Sequence, residues 1–147
     1  MISNGYNGYR KTIVNTTSNK EEVLLLLYEK ALSCLKMAHT GIVNKNAKQR
    51  GENISKVLAI LTEFDCALDR EKGGVLADSL AGIYHYAMDR LTVANIKNDP
   101  EAIKEVERLL GELYDGFKDA AQQAAGSGTF RREATPASAG GGMRLAV

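Results

Sequence analysis

The stretch Leu68-Asp69-Arg70-Glu71-Lys72-Gly73-Gly74-Val75-Leu76-Ala77 constrains this chain more than any other. An amphipathic segment ends there, two glycines follow, and a second amphipathic segment starts at once. A joint so short leaves the two segments antiparallel and side by side. Glycine tolerates the left-handed backbone of a helix C-terminus, so Gly73 and Gly74 are expected to end the earlier helix.

Apolar residues on both sides of this joint recur at spacings of three and four, the period of a bundle helix. In the first helix, expected over about residues 19–43, the seam is Leu24, Leu27, Ala31, Cys34 and Ala38. Ser18 and Glu21 ahead of it have the spacing of a capping box. The second helix, about residues 50–71, carries Ile54, Val57, Leu61, Phe64 and Leu68, and the polar stretch Asn44 to Gly51 precedes it as a connection. The third, about 74–98, carries Leu76, Leu80, Ile83, Ala87, Leu91 and Ala94. Asp99 is a suitable N-cap and Pro100 suits the first helical position, where its missing amide costs nothing. The fourth helix then runs to about residue 124 with Ile103, Val106, Leu110, Leu113, Phe117 and Ala120 as its seam.

Four such helices with three short joints predict an all-α fold, an antiparallel up-down-up-down four-helix bundle. The bundle is expected within residues 1–125, with residues 1–16 as an irregular N-terminal arm. Gly126-Ser127-Gly128 should break the last helix, and residues 126–147 read as a disordered tail poor in apolar bulk.

Several function classes find no support. The net charge of +1, with charges interspersed, gives no basic patch for nucleic acid or an anionic membrane. The start of the chain has neither the basic nor the apolar region of a signal peptide. The longest apolar run, Val23 to Tyr28, is too short to span a bilayer, so no membrane insertion is expected and the cytoplasm is the default location. Cys34 and Cys66 read as small buried hydrophobes in a reducing compartment. His39 and His85 stand apart and form no ExxH or HxxxH pattern, so no metal is expected. No nucleophile sits at a recognisable spacing from a base, and Lys72-Gly73-Gly74 lacks the pattern of a phosphate loop. The chain is therefore read as no enzyme, with no catalytic residue and no cofactor.

What the helices have in surplus is apolar width. Beside the first seam lies a second line, Leu25, Tyr28, Leu32 and Leu35. Leu58 and Ile60 flank the second seam, and Tyr84 and Met88 the third. A helix packed on two neighbours uses a face of about three residues in seven, so much of this width can be core. The alternative is a set of apolar grooves that receive helices from a partner. Tyr9 and Ile13 in the arm could lie over such a groove and compete for it.

Several motifs in order carry a resemblance. Tyr9 stands ahead of a Ser-x-x-Glu helix start, and an apolar run closes in Leu27-Tyr28-Glu29. Leu68-Asp-x-Glu-Lys-Gly-Gly74 is followed by Leu80-x-x-Ile83-Tyr84-x-Tyr86-x-Met88-x-Arg90-Leu91-x-x-Ala94-Asn95. An Asn-Asp turn then leads to Glu105-Val106-x-x-Leu109-Leu110. Over about residues 9–120 the chain resembles the flagellin export chaperones, the FliS family. It departs from the family in having His85 between the two tyrosines and Phe117 where a Trp is common.

The resemblance implies a cytosolic chaperone. Such a protein binds the disordered C-terminal region of flagellin, prevents premature polymerisation, and delivers the subunit to the export gate of the flagellar secretion apparatus. Carried onto this sequence, it assigns partner contacts to Tyr9, Ile13, Leu25, Tyr28, Leu32, Leu58, Tyr84, Met88 and Leu91. Two other roles need only the same apolar stripes: a homodimer or scaffold that self-associates, and a regulator that sequesters another flagellar assembly factor.

Overall fold

The computed structural model describes residues 20–127, and these form an all-α four-helix bundle. The helices are α1 (Lys20–Val43), α2 (Ala47–Ala67), α3 (Arg70–Lys97) and α4 (Pro100–Ser127). Ser18, the arm, and the tail from residue 128 lie outside the described residues. α1 packs on α2 and α4, and α3 packs on the same two helices, so α1 and α3 are diagonal partners.

Side-chain pairs give the direction of each packed pair. Between α1 and α4, Glu29 meets Tyr114 and Lys36 meets Glu107. Between α2 and α3, Arg50 meets Asn95, Thr62 meets Met88, and Asp65 meets His85. Residue numbers rise on one helix as they fall on the other, so both pairs are antiparallel.

The joints differ from expectation in instructive ways. α2 starts earlier than predicted because Asn46 is its cap: the Asn46 side chain accepts from the Gln49 amide at 3.0 Å. Lys45, with φ 56°, makes the left-handed turn before it. The two helices approach backbone to backbone here. A Cβ at Gly41 would come 2.6 Å from the Arg50 nitrogen.

The α2–α3 joint is Leu68-Asp69 and not the glycine pair. Both residues are extended, and Leu68 is buried. Asp69 captures the Lys72 amide on its side chain at 3.0 Å and the Gly73 amide on its carbonyl at 2.7 Å. That cap starts α3 before the glycines. Gly74 then kinks the helix after one turn, with φ 54° and ψ −128°, a region closed to residues with a Cβ. Arg70 spans the kink, 3.2 Å from Asp65 and 4.0 Å from Asp78.

The third joint is as expected. Asn98 takes the left-handed conformation at the end of α3, and Asp99 caps α4 by accepting from the Glu101 amide at 3.0 Å. α4 continues to Ser127, past the expected stop.

The core is built from the expected seams with one rotation. Leu24, Ala31, Cys34 and Ala38 are buried in α1, but so are Tyr28 and Leu35 from its second line, while Leu27 is half-buried. The apolar face of α1 is thus centred between the two lines, as suits a helix with two neighbours. On α3, Leu76 lies at the surface and Ala77, Leu80, Ala81 and Tyr84 face inward.

Four aromatic rings, one per helix, fill the centre. Tyr28 stacks on Phe64 with centroids 4.5 Å apart. Phe117 lies 5.6 Å from Tyr28, and Tyr84 lies 5.6 Å from Phe64. The hydroxyls of Tyr28 and Tyr84 meet at 2.9 Å inside this cluster. Each is the other's partner, so no buried side-chain polar atom among the described residues is left unpaired. Burial raises both phenols above their ordinary 10.0, and the neighbouring hydroxyl adds to the rise for Tyr28.

Two predictions follow from the core and the kink. Tyr28→Phe or Tyr84→Phe alone strands a buried hydroxyl and should cost about 1–3 kcal/mol. The double variant should cost less than the sum, as read by a double-mutant cycle in urea. Because the folded state holds both phenols protonated, their contribution is complete below pH 10.0 and is lost as pH rises above it. The double variant should show a weaker alkaline loss. Gly74→Ala should destabilise by about 1–3 kcal/mol, through backbone conformation alone, since a Cβ there has nothing within 4 Å to strike.

Candidate functional site

The nine residues singled out as partner contacts do not form one surface. Tyr28, Tyr84 and Leu91 are core residues, at 0%, 2% and 0% exposure. Their apolar faces are already covered by neighbouring helices, so in this state they line no groove. Tyr9 and Ile13 lie outside the described residues. The other four are half-buried against the core and divide between opposite sides of the bundle.

Leu25 and Leu32 belong to the α1/α4 side. Leu32 sits three residues after Glu29 and four before Lys36, on the face those residues share. Glu29 accepts from the Tyr114 hydroxyl at 2.6 Å, and Lys36 pairs with Glu107. These two polar ties close over the position of Leu32. The Tyr114 phenol is held above its ordinary value by that bond to Glu29.

Leu58 and Met88 belong to the α2/α3 side, where both are half-buried against the core. The Thr62 hydroxyl donates to the Leu58 carbonyl at 2.8 Å and lies 3.8 Å from the Met88 sulfur. Ties stand at both ends: His85 with Asp65 at 3.1 Å, and Arg50 with Asn95 at 2.9 Å and with Asn98. Asp65 and Arg50 are fifteen residues apart on α2, about 22 Å of helix. The α2 wall of this stretch is Ser55, Ala59, Thr62 and Cys66, all exposed and all uncharged. In the sequence that line is a spacing of four, three and four whose members are all small. Its reading for Cys66 is corrected: the thiol is exposed, whereas Cys34 is buried as expected.

A second apolar groove lies on the other side of α3, against α4. The tie here is a cluster. Arg90 donates to Glu105 at 2.8 Å and the Tyr86 hydroxyl donates to the same carboxylate. Counting turns from these residues, Ile83 and Leu76 continue the α3 face and Leu109 and Leu113 the α4 face. Ile83, Leu109 and Leu113 are half-buried, and Leu76 is exposed. Val75, just after the kink, is 82% exposed. The groove is thus closed by polar groups at Tyr86 and apolar from there toward the α2–α3 joint. Tyr86 and Glu105 are nineteen residues apart, and no local pattern in the sequence signals their contact.

The site as a whole is two lines of half-buried apolar residues flanking α3, Leu58 and Met88 toward α2 and Ile83, Leu109 and Leu113 toward α4, each ended by a polar tie. Such surfaces suit the apolar face of a short helix, with the ties limiting how far it extends. Among the described residues no group of three or more His, Cys, Asp or Glu could hold a metal, and no helix is long and apolar enough to cross a membrane.

Glu105 offers a direct test of the tie. The Tyr86 hydroxyl, then Arg90, hold its carboxyl below the ordinary 4.5. The folded state therefore favours the ionised form. Its contribution is complete above pH 4.5 and is lost as pH falls through the depressed value. Glu105→Gln should flatten that part of the acid limb in thermal melts taken as pH falls below 4.5.

Comparison with known proteins agrees with this architecture. The family model described as flagellar protein FliS matches residues 2–124. The flagellar secretion chaperone FliS of Bacillus subtilis is 34% identical over 121 residues, covering 82% of this chain and 89% of the relative. That of Salmonella typhimurium is 30% identical over 127 residues, covering 84% and 94%. The flagellar secretion chaperone FliSB of Pseudomonas aeruginosa is 33% identical over 100 residues, covering 68% and 79%. With the match running from the arm through all but the end of α4, the chain belongs to the FliS family of flagellar secretion chaperones.

Proposed function

We propose that this chain binds the C-terminal region of flagellin in the cytoplasm, keeps it from polymerising, and hands it to the flagellar export gate. The observation that carries this reading is the pair of apolar channels on either side of α3, in a member of a secretion-chaperone family. Leu58 and Met88 serve one channel; Leu76, Ile83, Leu109 and Leu113 serve the other.

The mechanism is covering of apolar surface. An amphipathic segment that is free in solution assembles through its apolar face. Laying that face into a channel removes it from water and from other copies. The client must be ordered as it binds, which offsets part of the gain and keeps affinity moderate for the area buried. Moderate affinity suits a complex that has to release at the export machine. The α2 wall of one channel is uncharged, whereas the α4 wall of the other carries the exposed Arg108–Glu112 pair beside Leu109. Tyr9 and Ile13 enter the proposal as an arm that competes with the client for the same apolar surface.

Calorimetric titration with the C-terminal segment of flagellin from the same cell, followed by gel filtration, tests the proposal. A complex of defined stoichiometry is expected. Leu58→Asp and Leu109→Asp should each weaken it by roughly 10–100-fold, with helical content unchanged by circular dichroism. Absence of any complex, or self-association of the chain in its place, would sink the flagellin reading. Removal of residues 1–14 should tighten binding with the bundle still folded. Unchanged affinity would take the arm out of the mechanism.

A further inference from the structure

The groove between α3 and α4 loses its α4 wall at one level. Tyr86 faces Glu105 across these two helices. Val75 stands eleven residues before Tyr86, and Gly116 eleven after Glu105. Eleven residues make about three helical turns, so the two take up the same two faces three turns further along. The first level sets a hydroxyl against a carboxylate; this one sets a valine against a glycine. Gly116 is exposed, and a Cβ there would meet nothing within 4 Å. Val75 is the most exposed large hydrophobic among the described residues, at 82%, and Leu76 beside it is 37% exposed.

The same chain carries a segment that fits this opening. α4 ends at Ser127, eleven residues beyond Gly116, about 16 Å of helix. Residues 128–142 follow, rich in Gly, Ala, Ser and Thr, and then Met143, Leu145 and Val147 stand at alternate positions. An extended chain carries alternate side chains on one side, so these three span about 13 Å. Val75 to Ile83 is about 12 Å along α3. From Ser127 to Met143 is sixteen residues, and a flexible chain of that length has a root-mean-square span of about 20–24 Å. That is close to the return from Ser127 to Gly116. A linker matched to its span holds the segment near the groove at about millimolar effective concentration, so even weak docking is populated. The family match ends at residue 124, and the segment lies outside it.

We propose that Met143, Leu145 and Val147 dock as an extended segment in the α3/α4 groove of the same chain, over Val75, Leu76 and Gly116. Residues 128–142 are the tether. Arg144 falls on the opposite side of such a segment and stays in water. The contact needs no client, so it stands apart from the flagellin reading. Leu76 is common to both, and a docked segment covers that part of the surface proposed for the client.

The chain contains no tryptophan, so Leu145→Trp places a single indole in the segment. In the folded full chain its emission should lie to the blue of the same protein in urea, with acrylamide quenching several-fold weaker. Neither should change with protein concentration. Adding Val75→Asp, at a side chain the fold leaves exposed, should return the emission to its position in urea with helical content unchanged by circular dichroism. Val75→Ser serves if Val75→Asp does not fold. Adding Ile96→Asp, at a residue 72% exposed near the other end of α3, should leave the emission as it was. A solvent-exposed emission in the folded chain, a blue emission that survives the Val75 substitution, or a loss at Ile96→Asp would each overturn the docking. A shift that grows with protein concentration would place the segment on a second copy and overturn it too.

Discussion

Two phenol hydroxyls can be buried in an apolar core only if each finds a partner there, and in this bundle each finds the other. Tyr28 and Tyr84 come from α1 and α3, the diagonal pair, and meet at 2.9 Å. Leaving either one alone would cost the desolvation of a polar group with no return. The bond therefore fixes more than a distance. It sets the rotation and axial position of α1 against α3, two helices that otherwise touch mainly through α2 and α4. Phe64 and Phe117 complete the cluster from those two helices, so one site ties all four together. An all-aliphatic core of the same volume would tolerate small slips and rotations; a paired polar contact tolerates few.

Once the centre is fixed, the joints and ties have little freedom. The α2–α3 connection is two extended residues because Leu68 must reach the core while Asp69 caps the next helix. The kink at Gly74 follows: the first turn of α3 starts on the line set by Asp69, and the rest of the helix must run on the line set by Tyr84. Arg70, in the first turn, lies 3.2 Å from Asp65 of α2 and 4.0 Å from Asp78 beyond the kink. At the far end, the close approach of Gly41 to the Arg50 backbone and the left-handed Lys45 and Asn98 bring the helix ends together.

Much of this was legible in the sequence, and the failures have identifiable causes. Asp99-Pro100 gave the right start for α4 because cap and first-turn chemistry are local. The glycine pair misplaces the α2–α3 joint because Asp69, as strong an initiator as glycine is a terminator, starts α3 ahead of it. Tyr28 and Leu35 were assigned to a second line beside the seam. Adjacent lines on a helix differ by one residue, and only the neighbours decide which is central. Tyr84 reads as a flank of the third seam yet is buried, and the partner that satisfies its hydroxyl is 56 residues away. On the α2/α3 side, Leu58 and Met88 stand out in the sequence by their size. The ties beside them, His85–Asp65 and Arg50–Asn95, do not, since such pairs exist only after folding.

These features bear on how a bundle can bind a chain without losing itself. Core residues such as Tyr28, Tyr84 and Leu91 are spent on the fold, and exposing them to a client would undo the contact that fixes α1 against α3. The polar ties are worth little individually, being at the surface, yet they close the α1/α4 side over Leu32 and end the channels beside α3. Half-buried apolar residues flank α3 on both sides, Leu58 and Met88 on one and Ile83, Leu109 and Leu113 on the other. Such residues lose modest apolar area to water in the free protein and can bury it against a client with the core untouched.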